Sequence, residues 1–205
     1  MKIKFIIFLL VSTLIHANKV EIVKGLPFVT VEVEGKMFKI ERNQVKDSYL
    51  TNTFALTSRP SPPFFIEPFA VSEGIETYGE LEVLDFISKK KGLFIDARLS
   101  NWYKRSAIPS ALNIPFKHFL DESDEQTKVF KKLGGILNTN QDEWNFKHAK
   151  MILFYCNGAW CGQSPTAINA LLENGYPKEK LKYYRGGMQS WQLLGLTTIV
   201  PKEKK

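Results

Sequence analysis

The sequence predicts an α/β fold: a parallel sheet with helices on both faces, preceded by a small N-terminal β extension. Three observations carry this. Beyond Ser72, short apolar runs alternate with amphipathic stretches, the pattern of strands joined through crossover helices. Before it, Phe28 to Glu34 and Met37 to Ile40 alternate apolar and polar residues around Gly35, as a hairpin does. Between them, "TSRPSPPFFIEP", Thr57 to Pro68, carries four prolines that forbid helix and hold the chain extended.

In chain order, the first segment is not part of the fold. Met1 to Ala17 begins with Lys2 and Lys4, continues through an unbroken apolar run from Phe5 to Val11, and ends on a small residue, the layout of a secretory signal peptide. The run is too short to span a bilayer, and no cysteine follows it to take a lipid anchor. The expected organisation is therefore a leader over 1–17, a hairpin extension and Pro-rich linker over 18–71, an α/β domain over 72–200 and a basic tail over 201–205. The product is expected in the periplasm or otherwise exported, with no membrane association once the leader is cleaved.

Within the domain, Thr77 to Ser88 reads as a helix with Leu81, Leu84, Phe86 and Ile87 apolar. Lys89 to Lys91 suit its negative end, and Gly92 is positioned to stop it. "LFIDAR" is a short buried strand ending in charge. Met151 to Tyr155 is a second strand, Pro165 to Asn174 a helix stopped by Gly175, Leu181 to Tyr184 a third strand and Met188 to Leu194 a last helix. Leu120 to Lys150 is polar and reads as a surface insertion. The formal charge of +7, reduced by loss of Lys2 and Lys4, is mildly basic and scattered. That favours small anionic ligands and gives no basic stripe for nucleic acid.

The chemistry gathers in "ILFYCNGAWCGQSPTAINALLENGYP", Ile152 to Pro177, which holds both cysteines of the chain. Cys156 follows directly on a strand, and Ser164 with Pro165 suit the cap and first position of the next helix. In a parallel sheet this strand end is where ligands bind. The loop from Asn157 to Gln163 is thus pinned at both ends. With Gly158 and Gly162 free to take positive φ and Ala159 small, its amides can turn inward beside the positive helix end and cradle negative charge. A thiol there is expected to ionise readily and act as a nucleophile. Two other readings stand beside this one: a structural Cys156–Cys161 disulfide, common in exported proteins, and inert packing. A disulfide closing so short a loop restrains little chain entropy. His118 and His148 are solitary, the cysteine spacing does not match a zinc site, and neither a metal nor a cofactor is expected.

"LFIDARLSNWYKRSAIPSALNIPF", Leu93 to Phe116, resembles the first hallmark of the rhodanese-like sulfurtransferase domains. The cysteine stretch followed by "YYRGGMQSW", Tyr183 to Trp191, resembles the second. The loop "CNGAWCGQSP" is similar to that of exported single-domain members. The resemblance implies the rhodanese-like fold, an enzyme that carries a sulfane sulfur as a persulfide on Cys156, and a loop from Asn157 through Gly158, Ala159 and Trp160 to Cys161 whose amides surround that sulfur. It also implies an Asp96 and Arg98 pair near the loop, a small anionic sulfur donor such as thiosulfate, and a thiol or cyanide acceptor, with a protein acceptor also open. Two departures matter. Ser106 and Ala107 replace the usual Gly-His, and Cys161 with Gly162 stand where a loop arginine is common, which weakens the case for a doubly charged donor. Arg98 either pairs with a carboxylate or touches substrate. Arg185 is a candidate for the missing loop cation, and Trp160 is either a lid or a packing residue. A thiol–disulfide module using Cys156 and Cys161, or a binding protein on the same fold, are the alternatives.

Overall fold

The computed structural model describes residues 19–59, 65–120, 123–139 and 143–202. The expected leader lies outside the described residues, as do 60–64 of the proline-rich segment. Five parallel strands form the central sheet in the order β3-β9-β8-β4-β5. They are β3 (Glu76–Thr77), β4 (Leu93–Asp96), β5 (Leu112–Asn113), β8 (Ile152–Tyr155) and β9 (Leu181–Tyr184). The expected parallel sheet is present, and two very short edge strands, β3 and β5, extend it. Neither has an apolar run to announce it.

Alternation along β8 sends side chains to opposite faces. Ile152 and Phe154 join Ile95, Leu181 and Tyr183 on one face, covered by α3 (Asp124–Lys132) and α4 (Gln163–Glu173). Leu153 and Tyr155 join Phe94 and Tyr184 on the other, covered by α1 (Glu80–Ser88) and α5 (Gly187–Leu193). A further short helix, α2 (Ser100–Arg105), follows β4. The hairpin, β1 (Phe28–Val33) with β2 (Lys36–Glu41), is antiparallel as expected. It is also a full part of the second core: Val31 and Ile40 are buried with Val83 and Ile87 of α1. Backbone bonds from Asn43 N–H to Gly195 O (2.7 Å) and from Thr197 N–H to Glu41 O (3.1 Å) stitch it to the segment after α5.

Three local expectations are corrected. Leu120 to Lys150 is no mere surface insertion: Val129, Phe130, Leu133 and Phe146 are buried in the first core, and a second hairpin, β6 (Ile136–Asn138) with β7 (Glu143–Asn145), follows α3. Gly92 does not end α1. Lys90 takes the left-handed turn at φ 49°, and Gly92 is glycine because a β-carbon there would stand 2.2 Å from the backbone oxygen of Met151, just before β8. Ser164 does not cap α4; Gly162 does, and Ser164 is buried inside the first turn. Among the described residues no helix is long and apolar enough to cross a membrane.

Candidate active site

The loop after β8 is fixed through its carbonyls. Met188 N–H donates to Cys156 O (3.0 Å), Gln189 N–H to Asn157 O (2.9 Å), Cys161 N–H to Gly158 O (3.0 Å) and Glu67 N–H to Ala159 O (2.8 Å). Because a trans peptide directs its N–H opposite to its carbonyl, holding four successive carbonyls turns the amides that follow them the other way. The loop does not take the positive φ expected from the sequence, and the amides that reach the sulfurs are those of Asn157 and Gln163 at Cys161 and of Ser164 at Cys156. Gly162 has φ −76°, and Gly158 is absent from the left-handed residues. Gly158 is needed for space between Trp160 and Gln189. The left-handed glycine is Gly187, at φ 54°, where a β-carbon would stand 2.5 Å from Cys156 O and 2.7 Å from Gly158 N.

Both cysteines are free thiols and both are buried, as is Asn157. Cys156 Sγ donates to Cys161 O (3.0 Å), and Asn157 Nδ2 donates to Cys161 Sγ (3.6 Å). Their acidities diverge. Burial pushes the Cys156 thiol well above its ordinary value, and the neighbouring Cys161 adds to the rise, although the hydroxyl and amide of Ser164 oppose it. Cys161 is brought below the usual thiol range. The Cys156 thiol donating toward it is the main cause, with burial opposing and the amides of Asn157 and Gln163 helping. The expectation that Cys156 ionises readily is therefore reversed: the cradle serves two sulfurs, and the more acidic one is Cys161.

Asp96 and Arg98 form a buried, two-pronged ion pair beneath the loop. Arg98 Nε donates to Asp96 Oδ1 (2.9 Å) and Nη2 to Asp96 Oδ2 (2.6 Å), while Nη2 also reaches Ser106 O (2.7 Å). Tyr155 OH donates to Asp96 Oδ2 (2.7 Å). Burial works against the guanidinium charge, but Asp96 more than offsets it and holds Arg98 above its ordinary value. Of the two roles open for Arg98, the structure places it in the carboxylate pair, 1% exposed, and not at an open substrate surface. Asp96 is likewise an acceptor that fixes its neighbours.

Arg185 lies at the loop mouth, yet its donors are committed to the proline-rich strap. Nη2 reaches Glu67 O (2.8 Å) and Nε reaches Pro68 O (3.1 Å). Trp160 sits on the outer side of the loop. Its Nε1 donates to Gln189 Oε1 (2.6 Å), and Arg59 stacks 3.8 Å from its ring centre. Among the described residues, two polar atoms near the thiols are buried without a hydrogen-bond partner, Asn157 Oδ1 and Tyr183 OH, and buried Ser164 Oγ has only the Cys156 sulfur beside it. Tyr183, Ser164, Glu67 and Gln189 were not singled out from the sequence as site residues. Only proximity in the folded chain gives them a part. Among the described residues no group of three or more His, Cys, Asp or Glu side chains is gathered that could hold a metal.

A buried cysteine opening the loop between a central parallel strand and a helix defines an α/β protein whose candidate site lies at the strand end. The Rhodanese-like domain model matches residues 81–194, more than half of the chain, and the protein belongs to that family. No curated protein matches it. Among solved structures, it is similar to the BH2092 protein of Bacillus halodurans, with 23% identity over 57% of this chain and 71% of that one and a TM-score of 0.42. The human single-domain sulfurtransferase TSTD1 is 19% identical over 57% of this chain and 94% of its own, with a TM-score of 0.40. The Escherichia coli 3-mercaptopyruvate sulfurtransferase SseA is 22% identical over 57% of this chain and 43% of its own, with a TM-score of 0.39.

Proposed function

We propose that the protein is an exported sulfurtransferase that carries a sulfane sulfur as a persulfide on Cys156 and passes it to a thiol or cyanide. The observation that supports this most is a buried free cysteine at the end of a central parallel strand, opening a loop whose four successive carbonyls are each held by a backbone N–H. In the first half-reaction Cys156 gives up its proton to solvent. The Cys156 sulfur then attacks the outer sulfur of a small donor, forming one S–S bond while the donor departs with the electron pair of the bond that breaks. In the second, the acceptor attacks the outer sulfur and Cys156 leaves as thiolate. The unpartnered Asn157 and Tyr183 atoms offer polar contacts to the bound sulfur. No cofactor takes part, and the ligands are small sulfur compounds, with neither nucleic acid nor membrane required.

A second reading uses the same pair for thiol–disulfide exchange, favoured by the lowered pKa of Cys161 beside Cys156. Here the Cys161 thiolate attacks the Cys156 sulfur of a persulfide, closing a Cys156–Cys161 disulfide and expelling hydrosulfide. Incubation with thiosulfate and, separately, with glutathione persulfide, followed by intact-mass measurement, tests both readings. Sulfur transfer requires a gain of one sulfur in the wild type and in Cys161→Ser, and none in Cys156→Ser. No gain from either donor ends the sulfurtransferase reading. A wild type that ends two hydrogens lighter with no added sulfur, while Cys161→Ser keeps the added sulfur, moves the function to the dithiol pair. Export is checked by N-terminal sequencing of protein from the exported fraction, which should begin near Asn18.

A further inference from the structure

The strap that crosses the active loop places an acidic side chain where a substrate anion would otherwise sit. Glu67 donates its N–H to Ala159 O (2.8 Å), and its own carbonyl is held by Arg185. The backbone is therefore fixed on both sides. Its side chain reaches the start of α4: a β-carbon on Gly162, the residue that caps this helix, would stand 2.9 Å from Glu67 Oε1. That is the positive end of the helix, the position to which sequence reasoning assigned the donor's charge. Among the described residues no ion pair of the Glu67 carboxylate is present; Nε and Nη2 of Arg185 bind the strap's carbonyl oxygens.

The carboxylate also acts on the interior of the site. The buried Tyr183 hydroxyl is pushed far above the ordinary phenol range, by burial first and then by the charges of Cys156, Glu67 and Cys161, with Arg185 opposing and ranking below Glu67. At this hydroxyl beside the thiols, the negative charge of Glu67 raises the value and the positive charge of Arg185 lowers it.

We propose that Glu67 is a specificity-determining residue, a built-in anion at the start of α4 that turns the site away from dianionic donors and toward sulfur compounds that are uncharged or carry a cation near the sulfur, such as aminothiol persulfides. This rests on the sulfurtransferase reading for its biological meaning, and it narrows the anionic donor expected from the basic charge balance. The electrostatic statement itself concerns only access to a thiol, so it is testable without sulfur transfer.

Three methanethiosulfonates that share one leaving group serve as probes: neutral methyl, cationic trimethylammonioethyl and anionic sulfonatoethyl. With each, a thiolate attacks the sulfenyl sulfur, a mixed disulfide forms and methanesulfinate leaves. The rates of the two charged reagents are divided by that of the neutral one on the same protein, and the unfolded chain supplies the intrinsic ratio. On the wild type the cation-to-anion ratio should exceed that of the unfolded chain by about tenfold at low salt, and the excess should shrink as salt rises. Glu67→Gln should bring the ratio to that of the unfolded chain. An unchanged ratio in Glu67→Gln, or a wild-type ratio insensitive to salt, overturns the proposal. So does failure of all three reagents to modify the native protein, because a filter requires an entry path. If the ratio behaves as expected while no donor loads sulfur on Cys156, the filter stands and the sulfurtransferase reading falls.

Discussion

Cys156 and Cys161 share their acidity unequally, and the cause can be removed one residue at a time. The thiol of Cys156 donates toward Cys161, and this is the largest influence lowering the latter. A lowered value keeps Cys161 ionised to lower pH than a free thiol, so its alkylation should persist there. In Cys156→Ala that donor is gone. The pH profile for iodoacetamide labelling of Cys161, followed peptide by peptide, should move to higher pH by about one unit. A profile that stays in place would assign the effect to the amides of Asn157 and Gln163 instead. At this scale the sequence was legible for Cys156, because a strand end followed by a glycine-containing loop marks it locally. It was not legible for Glu67 or Tyr183. Glu67 lies in a segment whose only local signal is proline, and its carboxylate acquires a role when folding brings it to Gly162.

The elements that position the loop are β8 behind it, α4 ahead of it and the first turn of α5 beneath it. Gly187 begins α5 and is pressed against the loop backbone at φ 54°. Gly187→Ala combines a left-handed alanine with a backbone clash and should cost at least about 2 kcal/mol. Calorimetry should record that as a fall of about 4–8 °C in thermal midpoint, with loss of sulfur loading even where the protein remains folded. Loading at the wild-type rate would show that the loop does not depend on this approach. β8 and β9 were legible because both are short apolar runs buried on two faces. α3 was hidden by its charge: Asp124, Glu125, Lys128, Lys131 and Lys132 dominate the composition, while only Val129, Phe130 and the following Leu133 mark the buried side. The spacing of Gln126, Val129, Phe130 and Leu133 is the helical signal that was available.

Across the whole molecule, the N-terminal residues serve two separate purposes. The hairpin completes a core, and the strap reaches the site. Ile40 is fully buried against the α1 and α5 side of the sheet, away from the face that carries Cys156. Ile40→Ala should therefore cost about 2–5 kcal/mol in urea unfolding while leaving the charged-reagent ratio at Cys156 and Cys161 as it is in the wild type. A variant with unaltered stability would mean that the hairpin sits on the domain without supporting it. The alternation of β1 and β2 made the hairpin legible, but its docking partner was not. Burial of Val31 and Ile40 depends on Val83 and Ile87, more than 40 residues away.

The four anchored loop carbonyls also have a bearing on the order in which the protein is made. Their partners are Met188, Gln189, Cys161 and Glu67, so the loop draws on residues well before it and on others translated well after it. A nascent chain that has delivered both cysteines beyond the ribosome but not yet Met188 and Gln189 has its thiols and its strap, without the two donors that fix the first peptides of the loop. The cysteines then have the reactivity of any accessible thiol in an unfinished chain. On the sulfurtransferase reading, docking of the last helix is what completes the setting of Cys156, because Met188 and Gln189 hold the first two peptides of its loop.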